Sequence, residues 1–294
     1  MPSLEALLDA GADIAAVVTN PDRPAGRGLE RQESPVKSAA RAAGLEVEQP
    51  ERGAGPELTE RLARARLDAA VVVAYGRLLP ASMLEIPRLG FVNLHFSLLP
   101  EYRGAAPVQW ALIEGARETG VSVMTLDEGM DEGPILATER VPIHPDETAG
   151  ELGWRLARLG APLLVRALRD YIEGTLVPRP QEGHPTYAPK ISSEQARVDW
   201  ARSSATIRNL VRGLNPEPGA WSTLRGTRLK VWDVESAVDA TGLVVAELRA
   251  GDGLVAGTGN GAVELREVQL AGRRRMTGRE LARGLRLRRG ERME

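Results

Sequence analysis

The chain has 294 residues, 43% apolar and 27% charged, with a net charge of −2, and these proportions fit a globular chain with room for two cores. It has no cysteine, which excludes disulfides, thiolate nucleophiles and cysteine-bound zinc or iron–sulfur sites, and His95, His144 and His184 are too scattered to suggest a histidine metal site. No apolar run reaches about 18 residues and the start lacks a basic-then-apolar signal, so neither a membrane span nor a secretory leader is read, and the cytoplasm is the expected compartment.

Ser3 can cap a short helix over Leu4–Leu8 that Gly11 ends, and Ile14–Thr19 then reads as a buried strand. A loop rich in proline and glycine runs from Asn20 to Glu33. Ser34-Pro35 opens a helix, with proline in its first turn. A helix around Glu57–Arg66 precedes Ala69–Ala74, a near-continuous apolar strand of the kind that parallel sheets bury on both faces. Phe91–His95 is the next strand, followed by a helix near Val108–Glu114. Strands over Val121–Leu126 and Ile135–Val141 lead to a long helical pattern over Glu147–Glu173. Strands alternating with helices imply an open, mostly parallel α/β sheet.

From about Gly174 to Ser193 the prolines Pro178, Pro180, Pro185 and Pro189 read as an extended linker. After a short helix near Ala205–Gly213 the rhythm changes to short strands between glycine turns: Leu229–Val234, Gly242–Leu248, Leu254–Thr258 and Ala262–Leu270. That pattern predicts a small β-barrel or sandwich, with a final helix from about Thr277. The expected organisation is an α/β domain over 1–175, a linker over 176–195 and a β domain over 196–294. From Arg273 to Arg292 nine arginines face only Glu280 and Glu291. That stretch is either a solvated helix face or a surface for a polyanion.

The segment that carries chemistry is Phe91-Val92-Asn93-Leu94-His95. Side chains alternate along a strand, so Asn93 and His95 project to one face, at the carboxyl end where open α/β sheets bind ligands. An amide beside an imidazole suits acyl transfer: Asn93 can stabilise a developing oxyanion, and His95 can exchange protons. The pair can equally be a hydrogen-bonded strand end. Asp127-Glu128-Gly129-Met130-Asp131-Glu132-Gly133-Pro134 packs four carboxylates into one loop. Such a loop can bring a carboxylate to the same sheet edge, hold a divalent cation, or be a solvated turn, although the twelve-residue calcium spacing is missing. Neither a phosphate-binding glycine fingerprint nor a Gly-x-Ser-x-Gly elbow is present, which removes the main support for dehydrogenase, kinase and serine hydrolase readings.

Asn93 through Pro107, Asn-Leu-His-Phe-Ser-Leu-Leu-Pro-Glu-Tyr-Arg-Gly-Ala-Ala-Pro, resembles the signature of the folate-dependent formyltransferases. Within them the likeness is greatest to the branch that acts on methionyl-tRNA. It rests on the arginine-bearing loop Asn20-Pro21-Asp22-Arg23-Pro24-Ala25-Gly26-Arg27-Gly28 and on Val73-Ala74-Tyr75-Gly76 with Leu79-Pro80. It continues through Asp199-Trp200, Asn215-Pro216 and Lys230-Val231-Trp232 to Ala271-Gly272.

The resemblance implies a Rossmann-like sheet followed by a C-terminal OB-like barrel. It implies that Asn93 and His95 are the catalytic pair and that Asp131 orients His95. Ser97, Leu98, Leu99 and Pro100 would line a folate site, with the backbone of Asp127, Glu128, Gly129 and Met130 facing the pterin. The formyl donor would be 10-formyltetrahydrofolate and the acceptor the α-amine of initiator methionyl-tRNA, with no metal and no membrane partner, in a monomer. Arg23, Arg27, Arg273, Arg274 and Arg275 would contact the tRNA, chiefly through phosphates. The loop departs from its relatives at Leu29-Glu30-Arg31-Gln32-Glu33, whose two acids weaken the positive field. Relatives also begin with a strand and a Gly-Thr-Pro-type loop, so the pattern expects roughly 10 to 15 further residues ahead of the opening helix. Two alternatives stay open: a formyltransferase acting on glycinamide ribonucleotide or sugar nucleotides, and an RNA-binding relative with an inactive catalytic domain.

Overall fold

Proline and hydroxyl side chains set where the helices begin. In the computed structural model, which describes all residues except 26–29, 52–54, 238, 239, 241 and 289 (and only the backbone over 23–25 and 30–32), Pro2 opens α1 (Pro2–Asp9). Proline fits a first turn because its missing N–H has no helical partner there. Ser3, expected as the cap, is instead buried inside that turn. In α2 (Pro35–Ala42) the Ser34 hydroxyl accepts from the Lys37 N–H at 3.1 Å, as the Ser-Pro signal predicts. The helices α3 (Pro56–Arg64), α4 (Ala81–Leu84), α5 (Pro107–Ile113) and α6 (Ala149–Ile172) follow. Ser203 caps α7 (Ser204–Gly213), and Thr277 with Glu280 forms a capping box on α8 (Gly278–Leu285).

The chain folds as two compact units that do not follow a single cut along the sequence. The first comprises residues 1–105, 120–141 and 154–187, and the second residues 106–119, 142–153 and 188–294. In the first, β1 (Val17–Val18) is shorter than the expected strand. The antiparallel ribbon of β2 (Arg23–Ala25) and β3 (Glu30–Gln32) lies between it in sequence and its parallel partner β4 (Val47–Glu48). A four-stranded sheet has the order β5 (Ala70–Val72), β6 (Phe91–His95), β7 (Glu118–Thr125) and β8 (Ile135–Pro142). β5 and β6 are parallel, whereas β6 and β7 run antiparallel, with His95 opposite Ser122. All five residues of β6 are buried. α6 presses closely on it, because a Cβ added at Gly160 would lie 2.8 Å from a methyl carbon of Leu94. β6 is therefore a tightly packed inner strand.

The second unit carries an antiparallel sheet. Its strands are β9 (Ala220–Leu224), β10 (Thr227–Ser236), β11 (Leu248–Ala250), β12 (Leu254–Thr258), β13 (Gly261–Leu270) and β14 (Met276–Thr277). The order is β11-β12-β13-β10-β9, with β14 on β13, and among the described residues no ladder joins β11 to β9 to close the expected barrel. Trp200, Ile207, Leu229, Leu254 and Leu265 belong to its core. The expected strand from Gly242 begins only at Leu248, because the Glu247 N–H turns back to the Val244 carbonyl and Ala246 takes a left-handed φ of 65°. No helix among the described residues is long and apolar enough to cross a membrane.

Candidate active site

At the end of β6, Asn93 and His95 are 8% and 6% exposed and share one face of the strand. The His95 Nε2 lies 3.0 Å from the Tyr102 carbonyl oxygen. A carbonyl only accepts, so Nε2 carries the proton and the Nδ1 of the neutral ring holds the lone pair. That Nδ1 faces the Asp131 carboxylate, 3.7 Å from Oδ2. Burial pushes the imidazole below its ordinary 6.5, while Asp131 and the Tyr102 carbonyl pull it back in part. The ring is thus a neutral base that a nearby carboxylate can stabilise once it takes a proton.

Asp131 is placed by main chain as much as by its partner. Its φ is 54°, a left-handed conformation that aspartate tolerates better than most residues. The Gly104 N–H donates to its Oδ2 at 2.8 Å. Two residues on, a Cβ at Gly133 would sit 1.8 Å from the Thr125 carbonyl oxygen, so only glycine lets this loop fold against the end of β7. Among the described residues, none hydrogen-bonds the Asn93 side chain, which leaves its amide available to a ligand.

The turn after β6 is pinned from below. Ser122 donates to the Ser97 carbonyl at 2.7 Å and accepts from the Leu99 N–H at 3.1 Å, all within the buried interior. The hydroxyl of Ser97 is fully buried and donates to the Glu101 carbonyl at 2.5 Å, which commits it to the turn. Leu98 points at Gly120, and Leu99 and Pro100 are buried. Asp127, Glu128, Gly129 and Met130 form an exposed loop, with Met130 55% exposed and the Asp127 carboxylate accepting from the Gly129 N–H.

Of the arginines expected at a polyanion surface, Arg27 and the side chain of Arg23 lie outside the described residues. In the second unit Arg273 is exposed, Arg274 pairs with Glu280 at 3.3 Å, and Arg275 pairs with Glu267 at 3.1 Å. Arg275 also stacks over Trp232, 3.8 Å from the ring centroid. Arg228 stands 4.1 Å over Trp221, a cation–aromatic pair the sequence reading missed. It also missed Ser122, which a lone serine inside an apolar strand could have signalled, and Gln181, which no local pattern singles out. Among the described residues there is no cluster of three metal-ligating side chains.

Comparison with known proteins finds matches over the length of the chain. Residues 4–168 match the family described as "Formyl transferase", and residues 190–286 match "Formyl transferase, C-terminal domain". The methionyl-tRNA formyltransferase of Solibacter usitatus is 44% identical over 294 residues, covering 100% of this chain and 94% of that protein. The enzyme of the same name from Streptomyces coelicolor is 46% identical over 297 residues, covering 100% and 96%. The fold resembles a crystal structure of HypX from Aquifex aeolicus in complex with tetrahydrofolic acid, with a TM-score of 0.66 and 19% identity. That match covers 91% of this chain and 46% of HypX. With both domains matched and such identity across the full chain, this protein is a formyltransferase and belongs to the methionyl-tRNA formyltransferase family.

Proposed function

We propose that the formyl donor is 10-formyltetrahydrofolate, that the acceptor is the α-amine of methionine on initiator tRNA, and that Asn93, His95 and Asp131 carry the reaction. The observation that supports this most is the setting of the His95 ring: Nε2 lies 3.0 Å from the Tyr102 carbonyl oxygen, which favours the proton there, and Nδ1 faces Asp131 across 3.7 Å. A folate donor fits an edge that offers an amide with no hydrogen-bond partner among the described residues and an exposed loop beside the carboxylate. When bound, the folate supplies an electrophilic formyl carbon on nitrogen.

The roles of the residues follow from their chemistry. The amide of Asn93 donates to the formyl oxygen as negative charge develops there. The lone pair of His95 Nδ1 takes the proton that the attacking amine loses and returns it to the departing nitrogen, so one N–H is lost by the acceptor and one gained by the carrier. Asp131 stabilises the imidazolium in between. Alignment of amine and carbon supplies much of the remaining acceleration.

The arginines Arg273, Arg274 and Arg275, with Arg23 and Arg27, are proposed to contact tRNA phosphates, and the cytoplasm is the proposed compartment. Arg273 supports this, being exposed with no ion pair among the described residues. The test is formylation of methionyl-tRNA with 10-formyltetrahydrofolate. His95→Ala should lower turnover by about 10²–10⁴-fold, the range for a positioned general base. Turnover equal to the parent chain would refute the site.

A further inference from the structure

The segment from Arg179 to Tyr187, which its prolines mark as extended, is anchored at three points within the first unit: Arg179, Gln181 and Thr186. Arg179 exchanges both main-chain hydrogen bonds with Ile135, at 2.7 and 2.9 Å, beside the start of β8. At its other end the Arg103 N–H donates to the Thr186 carbonyl at 2.9 Å, and the Tyr102 N–H to the Thr186 hydroxyl at 2.8 Å. Between these anchors, Gln181 uses all of its amide. Its Nε2 donates to the Asp131 carbonyl at 2.8 Å and the Gly133 carbonyl at 2.9 Å. Its Oε1 accepts from Arg103 Nε at 3.1 Å and Nη2 at 2.7 Å.

Resting on the site proposed above, we infer that Gln181 is a positioning residue for the reaction, holding the Asp131 loop and the Tyr102–Arg103 turn in register around His95. The two loops it joins supply the two groups that face the imidazole, the carboxylate of Asp131 and the carbonyl of Tyr102. Asp131 is the one charged side chain within ion-pair reach of His95 among the described residues, and the adjoining Arg103 and Glu132, 3.2 Å apart, offset each other. The φ of Asp131 is left-handed, a conformation that aspartate tolerates but that its own backbone preference does not fix. Two hydrogen bonds from one planar amide to the carbonyls of Asp131 and Gly133 fix that turn. Asparagine is one methylene too short to span the same gap, and glutamate presents acceptors where two donors are needed.

Gln181→Glu separates positioning from folding. Its carboxylate gains a charged pairing with Arg103 that offsets part of the two lost hydrogen bonds, so the chain should still fold, but it repels the two carbonyls. At saturating substrates kcat should fall by about 10²-fold, the cost of misplacing a catalytic group by an ångström, while KM for folate and tRNA stays within about twofold. Single-turnover rates should show the effect of Gln181→Glu vanishing in an Asp131→Asn background, because the residue acts through Asp131. A Gln181→Glu chain that fails to fold, or that keeps the parent kcat, or whose loss is unchanged in the Asp131→Asn background, overturns the inference. If Asp131→Asn and His95→Ala themselves keep full activity, the underlying site reading is what fails.

Discussion

Two places where ionisable side chains meet are built in opposite ways. At the end of β6, His95 and Asp131 have side chains only 6% and 17% exposed, and main-chain groups of Tyr102 and Gly104 hold them. In the second unit Arg274 and Glu280 are 78% and 48% exposed, and Arg275 and Glu267 are 41% each. In the first place the low dielectric strengthens each interaction and a shift of an ångström changes the chemistry. In the second, water and salt screen each pair, so charge acts collectively. Burial, more than the number of charges, decides what a single substitution can do.

The largest effect expected from this contrast is at Asp131. Asp131→Asn keeps the shape of the side chain and an acceptor for the Gly104 N–H but removes the charge beside Nδ1, and kcat should fall by about 10²–10⁴-fold. A kcat within a few fold of the parent would mean that the buried pair is only architecture. Next comes the support beneath the site. Ser122→Ala leaves the Ser97 carbonyl and the Leu99 N–H without their buried partner, which should cost about 1–3 kcal/mol in urea denaturation. No loss there would show that the turn is held by other means. Smallest is Arg275→Ala, expected to weaken tRNA binding modestly and to reduce the slope of log affinity against log salt by about 1. A slope that stays put would remove Arg275 from the phosphate contacts.

The same contrast explains what the sequence made legible. β6 was read to the residue because Phe91, Val92 and Leu94 form a short apolar run, and alternation placed Asn93 and His95 on one face. The carboxylate loop was visible as a cluster, yet its choice of Asp131 came from resemblance alone. What selects it physically is a left-handed turn and a glycine packed on a carbonyl, and neither has a period to detect. β9 escaped notice although its burial alternates, because it is short and follows Pro216 and Pro218. Gln181 was invisible for a different reason: its four hydrogen bonds reach 48 to 78 residues back along the chain, so nothing near it in sequence reports its role.

The central claim is that His95 is held as a neutral base whose readiness to take a proton is raised by Asp131 against the effect of burial. The chain has three histidines, so the His95 ring can be followed by nuclear magnetic resonance once His95→Ala identifies its signal. Its titration midpoint should lie below 6.5 in the parent chain, and lower still in Asp131→Asn, where burial acts without its opposing charge. A midpoint at or above 6.5, or one that rises when the carboxylate is neutralised, would contradict the account.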